Sequence, residues 1–248
     1  MKVGKNIAVL GLDGLSWKHF YKLIEMGSLP YFRQIMSKGV VSDLYAFPPL
    51  TPPSWTSIMT GVNIGKHGIY DFLYINGGKQ TIVNALLLEH PRIHEMLSFI
   101  NKKSIVINPI PSYPLFKLRN SIQVSTEFFT PKAIVQPDNY NNILKYFHSQ
   151  ETIRKSFQGF IEDSFNKLQN YITITESFLS KFDPDLFWIN LRIPDNYLHR
   201  APLDILTEKK YSEEKKLFKL VDELIKILDK NFENLLIVSD HGFQKYDF

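Results

Sequence analysis

The sequence predicts an α/β fold: a mainly parallel central sheet with helices on both faces. Two observations carry this expectation. Short, continuous apolar runs alternate with longer stretches of helical periodicity along the 248 residues, the pattern of strands buried on both faces and joined by covering helices. Three of those runs also end in a loop that opens on an aspartate, as ligand-bearing strands do at the carboxyl edge of an open sheet.

The first run, residues 7–10, reads as a buried strand feeding Gly11-Leu12-Asp13-Gly14. Residues 17–25 have helical spacing, and Leu29-Pro30 opens a second helix over 31–37 that stops at Gly39. A strand follows over 40–45. Proline is tolerated in a first helical turn, so a helix from Pro52 or Pro53 to Thr60 is expected, closed by Gly61, with Thr51 near its N-cap. A helix over 93–100 leads into a strand over 104–108. Residues 109–140 are proline-punctuated and irregular, and a long ordered loop of that kind makes 109–150 a candidate covering segment on the substrate side. Residues 152–182 read as one long helix or two, with Phe157, Phe160, Ile161, Leu168, Ile172 and Leu179 as its core stripe. A strand over 185–191, a helix over 212–229 and a strand over 235–239 complete one domain spanning 1–248.

Composition narrows the function classes. Apolar residues make up 44% and charged residues 22%, with 19 Phe and 12 Tyr, so a packed core rather than disorder is expected. The net charge of +4 comes from lysines interleaved with acids, a solvated surface rather than a nucleic-acid face. No apolar stretch reaches the ~20 residues of a membrane span, and the apolar run near the start is too short for a signal core; a soluble, cytoplasmic protein with neither nucleic-acid nor membrane partner is expected. There are no cysteines, so any metal must rest on His, Asp, Glu or hydroxyl ligands. Nothing in the sequence bears on oligomeric state.

The chemistry-bearing residues follow the strands: Asp13, then Asp195 with His199, then Asp240-His241. Asp195 and His199 would share one face if their loop turns helical. Asp240 and His241, being adjacent, could hold one ion or face two. Carboxylate and imidazole without thiolate suit Zn²⁺ or Mn²⁺. Thr51 is either a plain helix cap or a hydroxyl that metal coordination would activate, with free N–H groups at the helix start favouring a phosphate.

Taken together, four motifs resemble the alkaline phosphatase superfamily, type I phosphodiesterase/nucleotide pyrophosphatase branch. They are Val9-Leu10-Gly11-Leu12-Asp13-Gly14; the segment Pro49-Leu50-Thr51-Pro52-Pro53-Ser54-Trp55 through Gly61 with Gly65-Lys66-His67-Gly68; Pro194-Asp195-Asn196-Tyr197-Leu198-His199; and Val238-Ser239-Asp240-His241-Gly242. The resemblance implies two divalent ions, zinc or alternatively manganese. Asp13, Asp240, His241 and the Thr51 oxygen would hold one ion, and Asp195 and His199 the other. It implies Thr51 as a nucleophile that becomes covalently phosphorylated or nucleotidylated while a small-molecule phosphoester, most readily a phosphodiester or nucleotide pyrophosphate, is hydrolysed. Ser54 stands where several relatives carry an Asn that binds a phosphate oxygen, a shorter donor at that position. His67 is not a ligand in the family pattern and is expected to be structural. The family adds a further His far downstream of S-D-H-G, whereas this chain ends at Phe248. The domain is therefore expected to lack its C-terminal part and the Asp195/His199 site to be one ligand short, which leaves an impaired or non-catalytic metal- or phosphate-binding remnant as the alternative. A sulfatase is disfavoured because its nucleophile is Cys or Ser, a cofactor-independent phosphoglycerate mutase because it uses Ser and a large insert, and a dinucleotide-binding module because G-x-G-x-x-G is missing.

Overall fold

A computed structural model describes residues 6–128, 130, 132–147, 156–200 and 212–244. Its centre is a six-stranded sheet in the order β6-β5-β4-β7-β1-β8. The strands are β1 (Ile7–Leu12), β4 (Ser104–Ile107), β5 (Ser121–Ser125), β6 (Ile134–Gln136), β7 (Leu186–Leu191) and β8 (Asn234–Val238). Every pairing is parallel except β5 with β6. A separate antiparallel hairpin joins β2 (Leu73–Asn76) to β3 (Lys79–Ile82) across Gly77-Gly78.

Side-chain alternation divides the core in two. Ala8, Leu10 and Leu12 of β1 and Phe187, Ile189 and Leu191 of β7 point into one cluster. Helices α1 (Trp17–Glu25), α2 (Pro30–Met36), α6 (Phe157–Leu179) and α8 (Ser212–Asn231) supply its other wall. Val9, Val106, Leu186 and Trp188 point to the opposite face. There α3 (Thr51–Thr60) lays down Trp55 and Met59, and α5 (Ile93–Phe99) adds Ile93 and Leu97. Both faces are thus covered, as continuous apolar strands require. The remaining short helices are α4 (Ile64–His67) and α7 (Ile193–Leu198).

Two contacts fix the helices that matter for the site. The α8 carboxylate Asp222 accepts from Tyr31 N at 2.9 Å and Phe32 N at 2.8 Å, so an anion sits on the start of α2. On the other face, Trp55 lies so close to β1 that a Cβ on Gly11 would come within 2.5 Å of its ring and 2.1 Å of Asn190 Oδ1. Only glycine admits α3 at that depth.

Two expectations change and a third is narrowed to one of its alternatives. Residues 40–45 form no strand: Val40 is 98% and Tyr45 94% exposed, because β-prone side chains without a partner strand have nothing to pack on. Residues 109–150 are not one loop, since they contribute β5, β6 and 3-10 turns over Asp138–Phe147. The long helix is single and begins at Phe157; its expected first residues, 152–155, lie outside the described residues. Among the described residues no helix is long and apolar enough to cross a membrane.

Candidate metal and phosphoester site

The carboxyl ends of β7, β1 and β8 are neighbours, and the three acidic loops meet there. Asp13 extends the ladder by one rung, its N–H donating to Leu191 O at 3.1 Å. Gly14 then turns with φ +73°, and a Cβ there would press within 3.1 Å of Asp195. The turn therefore needs glycine twice over: for its left-handed backbone and for the approach of Asp195. Gly14 N–H donates to Asp240 Oδ1 at 3.2 Å, tying the β1 loop to the β8 loop.

His241 stands at the centre. Its Nε2 is 3.3 Å from Asp13 Oδ1, 3.4 Å from Asp240 Oδ2 and 3.1 Å from Thr51 Oγ1. Its Nδ1 lies 2.9 Å from Gly242 O; a carbonyl only accepts, so Nδ1 carries the proton and Nε2 faces the acids, the tautomer a metal-ligating imidazole needs. Asp13, Asp240 and His241 each offer one ligand atom, all within 4.8 Å of one another. Apart from the facing His241 Nε2, both Asp13 oxygens and Asp240 Oδ2 are buried without a hydrogen-bond partner among the described residues. Buried carboxylates without donors are costly, and a divalent cation is the partner such a donor set fits.

The electrostatics agree. Burial first, and then the Asp13 charge, push Asp240 well above the usual carboxylate range. The same two causes raise Asp195. Burial alone would lower His241, but contact with Asp13 and the charges of Asp240 and Asp13 outweigh it and lift the imidazole to about 9. The metal-free centre thus holds protons where positive charge is wanted.

The Asp195 half differs. Helix α7 makes the i,i+4 pair real: His199 Nε2 is 3.4 Å from Asp195 Oδ1. The His199 side chain is 62% exposed against 7% for Asp195, and its ring stands edge-on to Phe243 at 4.9 Å. Thr51 is the first residue of α3, one position inside the expected cap, and Leu50 is the N-cap. The expected cluster of free N–H groups is reduced, because Pro52 and Pro53 have none and Ser54 N donates to Leu50 O at 3.0 Å. Thr51's own N–H is the donor left in that first turn.

The family model for type I phosphodiesterase / nucleotide pyrophosphatase matches residues 7–247. The chain belongs to that family. No curated protein matches its sequence. Among solved structures it is similar to phosphonoacetate hydrolase from Sinorhizobium meliloti 1021 in complex with phosphonoformate, with a TM-score of 0.69 and 17% identity over 96% of this chain and 57% of that one. The same enzyme in complex with phosphonoacetate gives a TM-score of 0.65 at 16% identity, again over 96% of this chain and 57% of that one. At such identity the likeness establishes the fold, and the alkaline phosphatase-like architecture expected from the sequence holds. The chain spans a little over half the length of these neighbours.

Within this phosphodiesterase-family fold, Asp13, Thr51, Asp240 and His241 come together, with Asp195 and His199 beside them. Ser54 is next to Thr51 but is buried, and its hydroxyl donates to Pro48 O at 2.9 Å; binding a phosphate oxygen would require that bond to be exchanged. His67 is structural: Nδ1 accepts from Ile69 N at 3.1 Å, so Nε2 is the donor to Ser57 Oγ at 2.9 Å. Sequence reasoning missed Arg192, which caps the start of α7. Its signal was a lone cation between the apolar run and the Asp195 motif.

Proposed function

We propose that this chain is a metal-dependent phosphoesterase core acting on phosphodiesters or nucleotide pyrophosphates through Thr51. The contact that carries this reading is Thr51 Oγ1 at 3.1 Å from His241 Nε2, which puts an alcohol against the buried Asp13/Asp240/His241 donor set. Asp13, Asp240 and His241 would hold one divalent ion beside the Thr51 oxygen, and Asp195 with His199 would hold a second; zinc fits these ligands, and manganese is the alternative. Bound ions supply the positive charge that lowers a hydroxyl's pKa and neutralises phosphoryl oxygens.

The protein's own part is placement. Trp55, seated over Gly11, fixes the depth of α3 and so the position of the Thr51 oxygen. Thr51 Oγ1 displaces an alcohol or phosphate from phosphorus and becomes a phosphothreonine ester. Water then displaces Thr51 and restores the hydroxyl. Turnover of bis-p-nitrophenyl phosphate with added Zn²⁺ or Mn²⁺ is expected, and Thr51→Ala should lower it at least ~1000-fold while bound metal is retained. Undiminished turnover by the variant would remove Thr51 as nucleophile.

One observation favours a second reading, a single-ion or phosphate-binding relative with impaired catalysis. Among the described residues only Asp13, Asp240 and His241 form a group of three ligands, whereas the second site offers the Asp195/His199 pair. Metal content separates the readings: two ions per chain support the enzyme, one ion without turnover the impaired form.

A further inference from the structure

Arg192 is a cation that no acid among the described residues meets in a hydrogen bond or ion pair. It follows Leu191, whose carbonyl holds the Asp13 N–H at 3.1 Å, and it precedes Asp195 by three residues. It is half-buried, and among the described residues its guanidinium has neither hydrogen bond nor ion pair. The acids nearby are engaged elsewhere: Asp195 faces His199 at 3.4 Å, and Asp13 and Asp240 face His241 at 3.3 and 3.4 Å. Half-buried guanidinium groups are ordinarily paired at short range, and among the described residues this one is not.

Its neighbour fixes where it lies. The guanidinium carbon is 5.8 Å from the centre of the Phe128 ring. Phe128 is buried at φ +56°, a left-handed conformation that a bulky residue adopts only when its surroundings hold it; its carbonyl accepts from Ser112 Oγ. Phe128 also belongs to the apolar cluster of Trp55 and Met59. The guanidinium therefore lies on the face of the sheet from which α3 presents Thr51, beside an aromatic ring supplied by residues 109–150. Its charge also reaches Asp195, whose pKa it works to lower against the stronger effects of burial and Asp13. A planar fork beside an aromatic face, with N–H edges that no described residue claims, is a receptor for an oxyanion.

We propose that Arg192 is a specificity-determining residue that binds a second oxyanion, a phosphate or a carboxylate, carried by the substrate next to the phosphorus that Thr51 attacks. The inference rests on Thr51 as the reacting residue. It selects, among phosphoesters, those with a second negative group over plain diesters, and it gives residues 109–150 a part in the substrate side of the site through Phe128.

The test compares substrates in one variant. Arg192→Ala should lower kcat/KM about 10- to 100-fold, mainly through KM, on a nucleotide pyrophosphate, the range expected for one charge-assisted contact. Bis-p-nitrophenyl phosphate, which has no second anion, should change less than about threefold. Arg192→Lys should recover part of the loss, since it keeps the charge without the fork. Equal losses on all substrates, or none on any, overturn the inference. A binding arm runs without turnover: in the metal-loaded Thr51→Ala background, calorimetry should show that Arg192→Ala weakens pyrophosphate or phosphonoacetate relative to orthophosphate. Whichever of the two responds identifies the second group as phosphate or carboxylate. An unchanged ratio overturns the inference even if the parent proves inactive, while inactivity of the parent with a changed ratio counts against the proposed reaction alone.

Discussion

The two halves of the site share ligand chemistry but not surroundings. Asp13 and His241 have side chains 0% and 11% exposed, and Asp240 is fixed by Gly14 N–H. His199, in the other half, is 62% exposed and is steadied by the edge of Phe243. A buried donor set is held in place before any ion arrives, so the ordering cost lies in folding. An exposed imidazole must be ordered when the ion binds, against competition from water. The first half should therefore fill first and hold its ion more tightly.

The largest effect expected from this difference is on the buried half. Asp240→Asn removes one anion from a crowded pair and should weaken the tighter ion by more than ~100-fold, because outer-shell partners alone typically contribute ~10–100-fold. The same substitution should stabilise the metal-free protein. Asp240 is raised by burial and by Asp13, so at neutral pH its charge opposes folding. Each ~1 kcal/mol relieved should raise Tm by about 2–4 °C in a chain of this size. Calorimetric melting without metal, and metal content after dialysis, read the two outcomes. A lower Tm for the variant would show that the acids are not in conflict.

His199→Ala probes the exposed half and should act more locally. The looser ion should weaken about tenfold, while the tighter ion keeps its affinity. Competition against a graded series of chelators resolves the two. Equal weakening of both ions would mean that they bind as one unit and would dissolve the contrast between the halves.

Much of this was legible in the sequence, for physical reasons that differ by element. Strands β1 and β7 are buried on both faces, so their apolar runs are continuous and their ends easy to read. Asp195 and His199 were legible as a pair because i,i+4 spacing has one meaning once the segment is helical. Strand β5 was not, because its inward residues include polar ones. Ser121 meets Ser104 Oγ at 2.9 Å and Gln123 donates to Phe116 O at 2.7 Å, and such satisfied polar groups mimic loop composition. Residues 40–45 misled in the opposite sense, since they have strand composition but no strand beside them. Pro52 and Pro53 were visible from the outset, yet their missing N–H groups count against a phosphate cradle only once the helix is seen to begin at Thr51. Arg192 showed in the sequence only as a lone cation before the Asp195 motif; what marks it is that no acid among the described residues bonds or pairs with it, and that is a property of the fold.

The smallest effect concerns protons, and it bears on whether the buried half is truly short of positive charge. His241 is held at about 9 in the metal-free protein, above the ordinary 6.5 of a histidine. Its folded pKa is raised, so its contribution to stability is fully present below about 6.5 and is lost as pH rises through about 9. Asp240 works in the same direction, because a carboxyl whose folded pKa is raised becomes more costly as rising pH ionises it. The metal-free protein should therefore lose Tm steadily from pH 6.5 to 9. An ion held through Nε2 displaces the His241 proton, so its affinity should rise by up to about tenfold per pH unit over that window and level off above it. The metal-loaded protein should show little of the Tm decline, since the ion supplies the charge the proton had supplied. Proton release measured in two buffers of different ionisation enthalpy checks the linkage directly. Metal binding at pH 7.5 without proton release would mean that neither His241 nor the acids beside it holds a displaceable proton there, and that the buried half is not short of positive charge.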